Sequence, residues 1–449
     1  MSKASLKYQT MSSDEKNELI ERLLDEIEEL KKKLEQYEKP KKTSKNSSLP
    51  PSQTQKGNIK GKAKEKRVAH RHGGRALSEQ PNEVIIAKVK QCAYCQQGLS
   101  EGMQKLSLVY DKIDLPIVKP YVRRIERYEA RCPCCQKVTQ APVPQGLEAG
   151  SPFGERIQHL ALYYRYAHII SYRRLSQMFA EVFGLEISEG GLGNLFKRSQ
   201  TELAPDVKAI LQRLQRSRLV ASDETGARVS GKNQWEWVFQ NEEVCLHVIR
   251  PSRGYDVIHE VMQEHQPEIW VSDLFSAQAK HPAKAWQVCL AHQLRDCQYA
   301  IDAGDTRFAP RMKRLLLRAF VIHNKRQQLT EAKLEHYRQQ LQQSLKLYLK
   351  LQPDNAEGKR LKKRYLKLKD SLFLFLEDST IPPTNNSSEQ ALRMSKVFRK
   401  VTNCFRSDWG RDLFADMRSI INTGKRHNQN PLQAIACALN PERSIFDSS

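Results

Sequence analysis

The chain has 449 residues, enough for two to four domains at roughly 100–200 residues each. Its 74 Lys+Arg against 51 Asp+Glu leave a formal charge of +23, which calls for a polyanionic partner, nucleic acid or an acidic membrane surface. No stretch approaches the roughly 20 apolar residues of a membrane span, and the polar start MSKASLKYQTMSSDEK lacks the apolar core of a signal peptide. The membrane is therefore set aside, the chain reads as cytosolic, and its 10 cysteines are read for metal binding before disulfides.

Residues 14–38 place Ile20, Leu23, Ile27, Leu30, Leu34 and Tyr37 at alternating steps of three and four, the seam of a short coiled coil. That spacing predicts self-association, and a single amphipathic helix lying on the protein's own body fits it as well. Residues 39–76 turn abruptly basic and nearly free of large apolar side chains, the composition of a flexible linker that can follow phosphates or act as a tether. Residues 77–150 read as β-rich (EVIIAKV, LSLVYDKIDLP, VKPYVRRIERYEARC). They carry Cys92-x2-Cys95 and Cys132-x2-Cys135, two knuckles able to surround one structural Zn²⁺ with four thiolates. The gap of residues 96–131 exceeds a ribbon's usual spacing, and Cys134 crowds the second knuckle.

Helical periodicity resumes over 151–217. Within it, YRRLSQMFAEVFGLEISEGGLGNLFKRS predicts one helix from Arg174 to about Phe183, a turn at Gly184, and a second from Glu189 to about Ser199 capped by Ser188. This is a helix-turn-helix pattern in which Asn194, Lys197 and Arg198 would face DNA; an ordinary helical hairpin has the same signature. Residues 218–306 then give three β runs, a helix (GYDVIHEVMQEH), a fourth run (EIWVSDLF) and a fifth (AWQVCLAH).

Alternation puts Asp223 on the face of Ala221, opposite Ser222 and Glu224, and Asp273 ends the fourth run. Strand–strand–strand–helix–strand with acids on the first and fourth strands is the ground plan of a ribonuclease H-like domain, whose third carboxylate comes from a later helix. Hard divalent cations require such oxygen ligands, and a pair of them serves phosphodiester chemistry. Each acid has a competing role. An Asp at a strand end is commonly a turn residue, and Asn386-Ser-Ser-Glu389 resembles a capping box in which Glu389 bonds back to its own helix start. Glu224, Glu377 and Asp378 are rival acids nearby in sequence. Cys289-x2-His292 is half a metal pattern without a second half, and reads as a packed strand-to-helix junction. Residues 307–378 are helical and rich in Lys and Arg, an insertion between catalytic strand and catalytic helix that contacts DNA or is only solvated. Residues 379–449 carry the catalytic helix and further C-terminal helices.

At these residues the sequence resembles the insertion sequence 66 family of bacterial DDE transposases. The matching stretches are SKNSSLPPS, the four-cysteine module, ASDET with WEWVF, VSDLFSAQ, CLAHQLRD, and NNSSEQALRMSKVFRKVTNCFRSDWG, in the same order from about residue 25 to about 437. The resemblance implies a multidomain α/β protein with an N-terminal coiled coil, a zinc module, a helix-turn-helix and a ribonuclease H-like catalytic domain. It implies Asp223, Asp273 and Glu389 as the acids holding two Mg²⁺ or Mn²⁺ ions, Asp223 bridging both, and Cys92, Cys95, Cys132 and Cys135 as the zinc ligands. It further implies a homo-oligomer in the bacterial cytoplasm at the nucleoid, working with accessory transposition proteins. That oligomer would bind its element's terminal repeats, cleave them, and join the 3′ ends to target DNA. The chain departs from the family's wording where Leu-Phe-Ser-Ala follows Asp273 in place of a Gly-aromatic pair, and where Gln390 follows Glu389 in place of Arg. A non-catalytic DNA-binding regulator of transposase descent, or another ribonuclease H-like nuclease, shares most of these features.

Overall fold

The structure is a computed structural model that describes residues 12–47, 49, 75–144 and 146–447. It is a mixed assembly of helices and sheet. Helix α1 (Ser13–Glu38) starts at a capping box formed by Ser12 and Glu15, which satisfies two otherwise orphaned amides. The helix leaves Ile20, Leu23, Ile27 and Leu30 exposed along one stripe. Of the stretch read as linker, residues 48 and 50–74 lie outside the described residues. The part before them is a turn at Thr43–Asn46, held by Asn46 Nδ2 donating to Asp302 Oδ2 (2.9 Å).

Between residues 75 and 150 only two short strands pair among the described residues. β1 (Glu129–Arg131) and β2 (Val138–Gln140) form an antiparallel hairpin around the second cysteine knuckle. The runs EVIIAKV and LSLVYDKIDLP, expected as strands, form no strand and find no partner strand among the described residues. Alternation alone does not make a ladder, because each amide still needs a neighbour across the gap. Ile85, Leu106, Leu115 and Ile117 are accordingly exposed.

From residue 155 onward the chain builds one packed body. Helices α2 (Glu155–Leu162) and α3 (Tyr172–Phe183) lead to α4 (Glu189–Leu214). Gly184, in the left-handed region at φ 62°, ends α3 with amide bonds back to Ala180 and Phe179, and Ser188 caps α4 through the Gly191 amide. The sequence reading ended this second helix near Ser199; it runs to Leu214, through Pro205. The reason is tertiary. Leu203, Ile210 and Leu214 extend the apolar stripe of Leu192, Leu195 and Phe196 into the core, where burial outweighs the lost proline amide.

The central sheet comprises β3 (Leu219–Val229), β4 (Lys232–Gln240), β5 (Cys245–Arg250), β6 (Ile269–Ser272) and β7 (Ala285–Val288), in the order β5-β4-β3-β6-β7. The first three strands are an antiparallel meander, and β6 and β7 add in parallel beside β3, with α5 (Tyr255–Met262) crossing before β6. First and fourth strands are thus neighbours, as the acid spacing required. Helices α6 (Leu290–Asp302), α7 (Ala309–Asn324), α8 (Glu331–Tyr348), α9 (Ala356–Leu368) and α10 (Leu374–Glu377) share a core with Ala221, Val271 and Val288 on one side of the sheet. The chain then returns through α11 (Asn386–Ala391), α12 (Arg393–Thr402), α13 (Asp408–Arg426) and α14 (Pro431–Ala438), with α13 lying on β5 and along α4. Among the described residues no helix is long and apolar enough to cross a membrane.

Candidate active site at the sheet edge

β3 and β6 run parallel in a register that sets Ala221 against Val271. Side chains two residues apart share a face, so Asp223 and Asp273 project together beyond that pair from strands about 4.8 Å apart. Glu389 arrives from α11, whose position is fixed by four polar contacts, three of them buried. Asn385 Nδ2 donates to the Ser222 carbonyl (2.7 Å), and Ser388 Oγ donates to Asn385 Oδ1 (2.6 Å). Gln240 Nε2 donates to Ser388 (2.8 Å) and Ser387 (2.9 Å). Asn385 and Ser388 are 1% and 0% exposed, so these bonds form away from competing water.

The capping-box role considered for Glu389 is not what the structure shows. The helix cap falls on Asn385, whose side chain is spent on β3, and no side-chain cap bond closes the first turn. The Glu389 carboxylate is left 3.8 Å from His292 Nε2. The rival acids are engaged elsewhere. Glu377 pairs with Arg338 (3.3 Å), Asp378 with Arg218 (2.6 Å), and Glu224 with Arg253 (2.7 Å).

The electrostatics record the convergence. Burial, then the charges of Asp273, Glu224 and Glu389, push the Asp223 carboxyl up to about 7, only partly offset by its bond from the Glu224 amide. His292 is held up to about 9: burial opposes its charge, but the Cys289 sulfur and the Asp273 carboxylate beside it outweigh that. Among the described residues no three His, Cys, Asp or Glu side chains stand close enough to share a metal ion. The oxygen donor set still suits a hard divalent cation. The like charges around Asp223 push its carboxyl up, and a cation there would relieve that.

Three contributors carry no assigned role in the sequence reading, Asn385, Gln240 and Ser388, and His292 is read there only as part of a packed junction. The doubled Asn-Asn-Ser-Ser preceding Glu389 was the available signal, an unusual density of short polar side chains entering a helix. His292 follows from the strand-to-helix junction at Cys289, a thiol that is buried and accepts the Asn385 amide (3.2 Å). That junction was expected. Its histidine facing the acids was not.

The knuckles are built alike. Cys92 and Cys132 each receive the amide four residues on, from Gln96 and Gln136 (2.9 Å each), and both glutamines sit at φ 59°. In each, backbone amides of the next residues lower the first thiol, from Cys95 and Tyr94 for Cys92, and from Cys135 and Cys134 for Cys132. Cys134 therefore occupies the place of Tyr94, whose side chain is 97% exposed, and gives its amide rather than its sulfur. The two pairs do not form one four-thiol group in the structure. Each half has the amide-to-sulfur bonding that a zinc thiolate uses. Asn194, Lys197 and Arg198 are all exposed on the outer face of α4.

No curated protein was found to match the chain. A family model described as "Transposase IS66 family" matches residues 150–412, which spans α2 through the start of α13 and includes Asp223, Asp273 and Glu389. Matched over more than half its length, and through the whole of the sheet edge just described, the chain belongs to the IS66 family of transposases.

Proposed function

We propose that this transposase cleaves the ends of its mobile element and joins the freed 3′ ends to target DNA at Asp223, Asp273 and Glu389. What supports the proposal is that Asp223 on β3 and Asp273 at the end of β6 lie on neighbouring parallel strands, and that the charge of Glu389, which makes no cap bond, reaches Asp223 from α11. Bound divalent cations would supply activation of the attacking oxygen and stabilisation of the leaving one. The protein's part is to hold the acids. Asp223 is central, since its carboxyl feels both of the others, and Asp273 and Glu389 flank it. His292, whose protonated form the Cys289 sulfur and the Asp273 carboxylate favour, lies beside Glu389 at the edge of the acidic group. The exposed Arg393, Lys396 and Lys400 on α12 follow Glu389 by four, seven and eleven residues, a basic face suited to phosphates beside the site.

In this reading the cysteine pairs hold one structural Zn²⁺, α1 pairs with a second copy, and α3–α4 read the terminal repeats through Asn194, Lys197 and Arg198. The test is a labelled duplex carrying the element end, incubated with purified protein and Mg²⁺ or with chelator. A 3′-end nick that needs Mg²⁺ and is lost in Asp223→Asn supports the proposal. Binding without cleavage under every metal condition would assign the chain to DNA-binding regulation. Cleavage of branched DNA regardless of end sequence would make it a structure-specific nuclease.

A further inference from the structure

The turn that carries Asp273 is strained. Leu274, immediately after it, lies at φ 80°, a region that side-chain-bearing residues rarely adopt. Such a turn keeps its shape only if its surroundings hold it, and the surroundings here are specific. Asp273 Oδ1 accepts the amide of Phe275 (3.1 Å), so the position of Phe275 aims the carboxylate. The Phe275 ring lies 4.0 Å from the Arg253 guanidinium, which also stacks over Trp235 at 4.5 Å. Arg253 is tied in turn to Glu224, through Nη2 (2.7 Å) and Nε (3.2 Å). The other Glu224 oxygen accepts from Gln278 Nε2 (2.9 Å), and the Trp270 indole donates to Gln278 Oε1 (3.3 Å). Gln278 closes the same turn from its far end, its amide bonding the Phe275 carbonyl (3.0 Å).

Glu224 follows Asp223 on β3 and points to the opposite face of the sheet, with its side chain 2% exposed. Both of its oxygens are committed to residues that grip the turn. We infer that Glu224 is a positioning residue: with Arg253, Gln278 and Phe275 it clamps the strained Asp273–Gln278 turn in the shape that aims Asp273 at Asp223. The inference rests on the reading of Asp273 as a metal-holding acid.

The experiment measures 3′-end cleavage of the element-end duplex against Mg²⁺ concentration, with thermal unfolding recorded for each variant. Glu224→Ala and Arg253→Ala should raise the half-saturating Mg²⁺ about tenfold or more, the size seen when a partner of a metal ligand is removed. Most of the maximal rate should return at high Mg²⁺. Adding Leu274→Gly to either should bring half-saturation back toward that of the parent, since glycine adopts the left-handed turn without strain and needs no clamp. Glu224→Gln and Arg253→Met keep the volume if the alanine variants fail to fold, and should show the same shift. An unchanged half-saturation would overturn the proposal. So would a folded Glu224→Gln dead at every Mg²⁺ and Mn²⁺ concentration, which would make Glu224 a ligand itself. Asp273→Asn is the control for the underlying reading: if it cleaves normally, the metal assignment fails whatever the Glu224 variants do.

Discussion

The cysteine knuckles and the acidic sheet edge are both candidate metal sites, yet they are organised on different scales. Each knuckle is complete within six residues, from Cys92 to Gln97 and from Cys132 to Lys137, and its bonds are to its own backbone. The acidic edge has no such local unit. Asp223, Asp273 and Glu389 lie on three separate segments, and the bonds that align them, Asn385 to Ser222 and Gln240 to Ser388, cross long stretches of sequence. A local motif keeps its shape when its surroundings are loose. A long-range site exists only while the core that unites its segments is folded.

That contrast can be tested most severely by removing one acid. Asp223→Asn should lower cleavage and joining by at least about a thousandfold while end binding stays near the parent's and the metal-free unfolding temperature does not fall, since charge is removed without volume. Normal joining by this variant, scored on gels, would end the assignment. Zinc removal probes the opposite pole. A zinc chelator, or Cys92→Ser with Cys132→Ser, should unravel residues 75–150 and weaken end binding, while the main unfolding transition of residues 155–447 is retained. If calorimetry showed both regions melting together, the front module would not be independent.

Asn385→Ala attacks the alignment rather than the chemistry. It removes the donor to the buried Ser222 carbonyl and the acceptor of the Ser388 hydroxyl, and should cost about 1–3 kcal/mol of stability with a fall in cleavage rate. Denaturant unfolding beside the cleavage assay would show both, and loss of stability with full activity would mean that α11 is not positioned by this bond.

A pH titration gives a smaller effect. The folded Asp223 carboxyl, up to about 7, lies above its ordinary value of 3.8. Its contribution to stability is therefore present in full below that ordinary value and is lost as pH rises through about 7. Metal binding needs the deprotonated form, so Mg²⁺ affinity should fall by about tenfold for each pH unit below 7 and level off above it. Asp223→Asn should remove the slope in metal-free stability between pH 4 and 7; a slope unchanged in that variant would place the titration elsewhere. Smallest of all should be Lys197→Ala and Arg198→Ala on the exposed face of α4. Each should weaken end binding a few-fold and reduce the salt dependence by about one phosphate contact, with stability unchanged. An unaltered salt slope would remove α4 from the DNA interface.

Much of this arrangement was legible in the sequence, for identifiable reasons. Alternation in LVASDETG gave the face of Asp223, and the order of apolar runs put the first and fourth strands side by side. Ser188 and Gly184 marked a helix start and stop because capping is settled within one turn. Three features were not legible. The second helix of the α3–α4 pair runs to Leu214 because the core it meets favours continuation past Pro205. The runs EVIIAKV and LSLVYDKIDLP have strand composition but no neighbouring strand among the described residues, and composition cannot supply one. Glu389 looked equally suited to a cap, since NSSE satisfies the local pattern whether or not its side chains are wanted elsewhere.

What the sequence determined by itself was therefore whatever short-range physics completes: the knuckles, the helix caps, the sidedness of each strand, and membership of a family through its ordered motifs. What only the tertiary structure decided was how side chains with two available roles are used. Asn385 bonds β3 and the Ser388 hydroxyl instead of capping a backbone amide of its own helix, Glu389 makes no cap bond and lies near His292, and Glu224 grips Arg253. A polar side chain takes whichever partner removes it from water with the best geometry, and those partners are brought within reach only by the packed core.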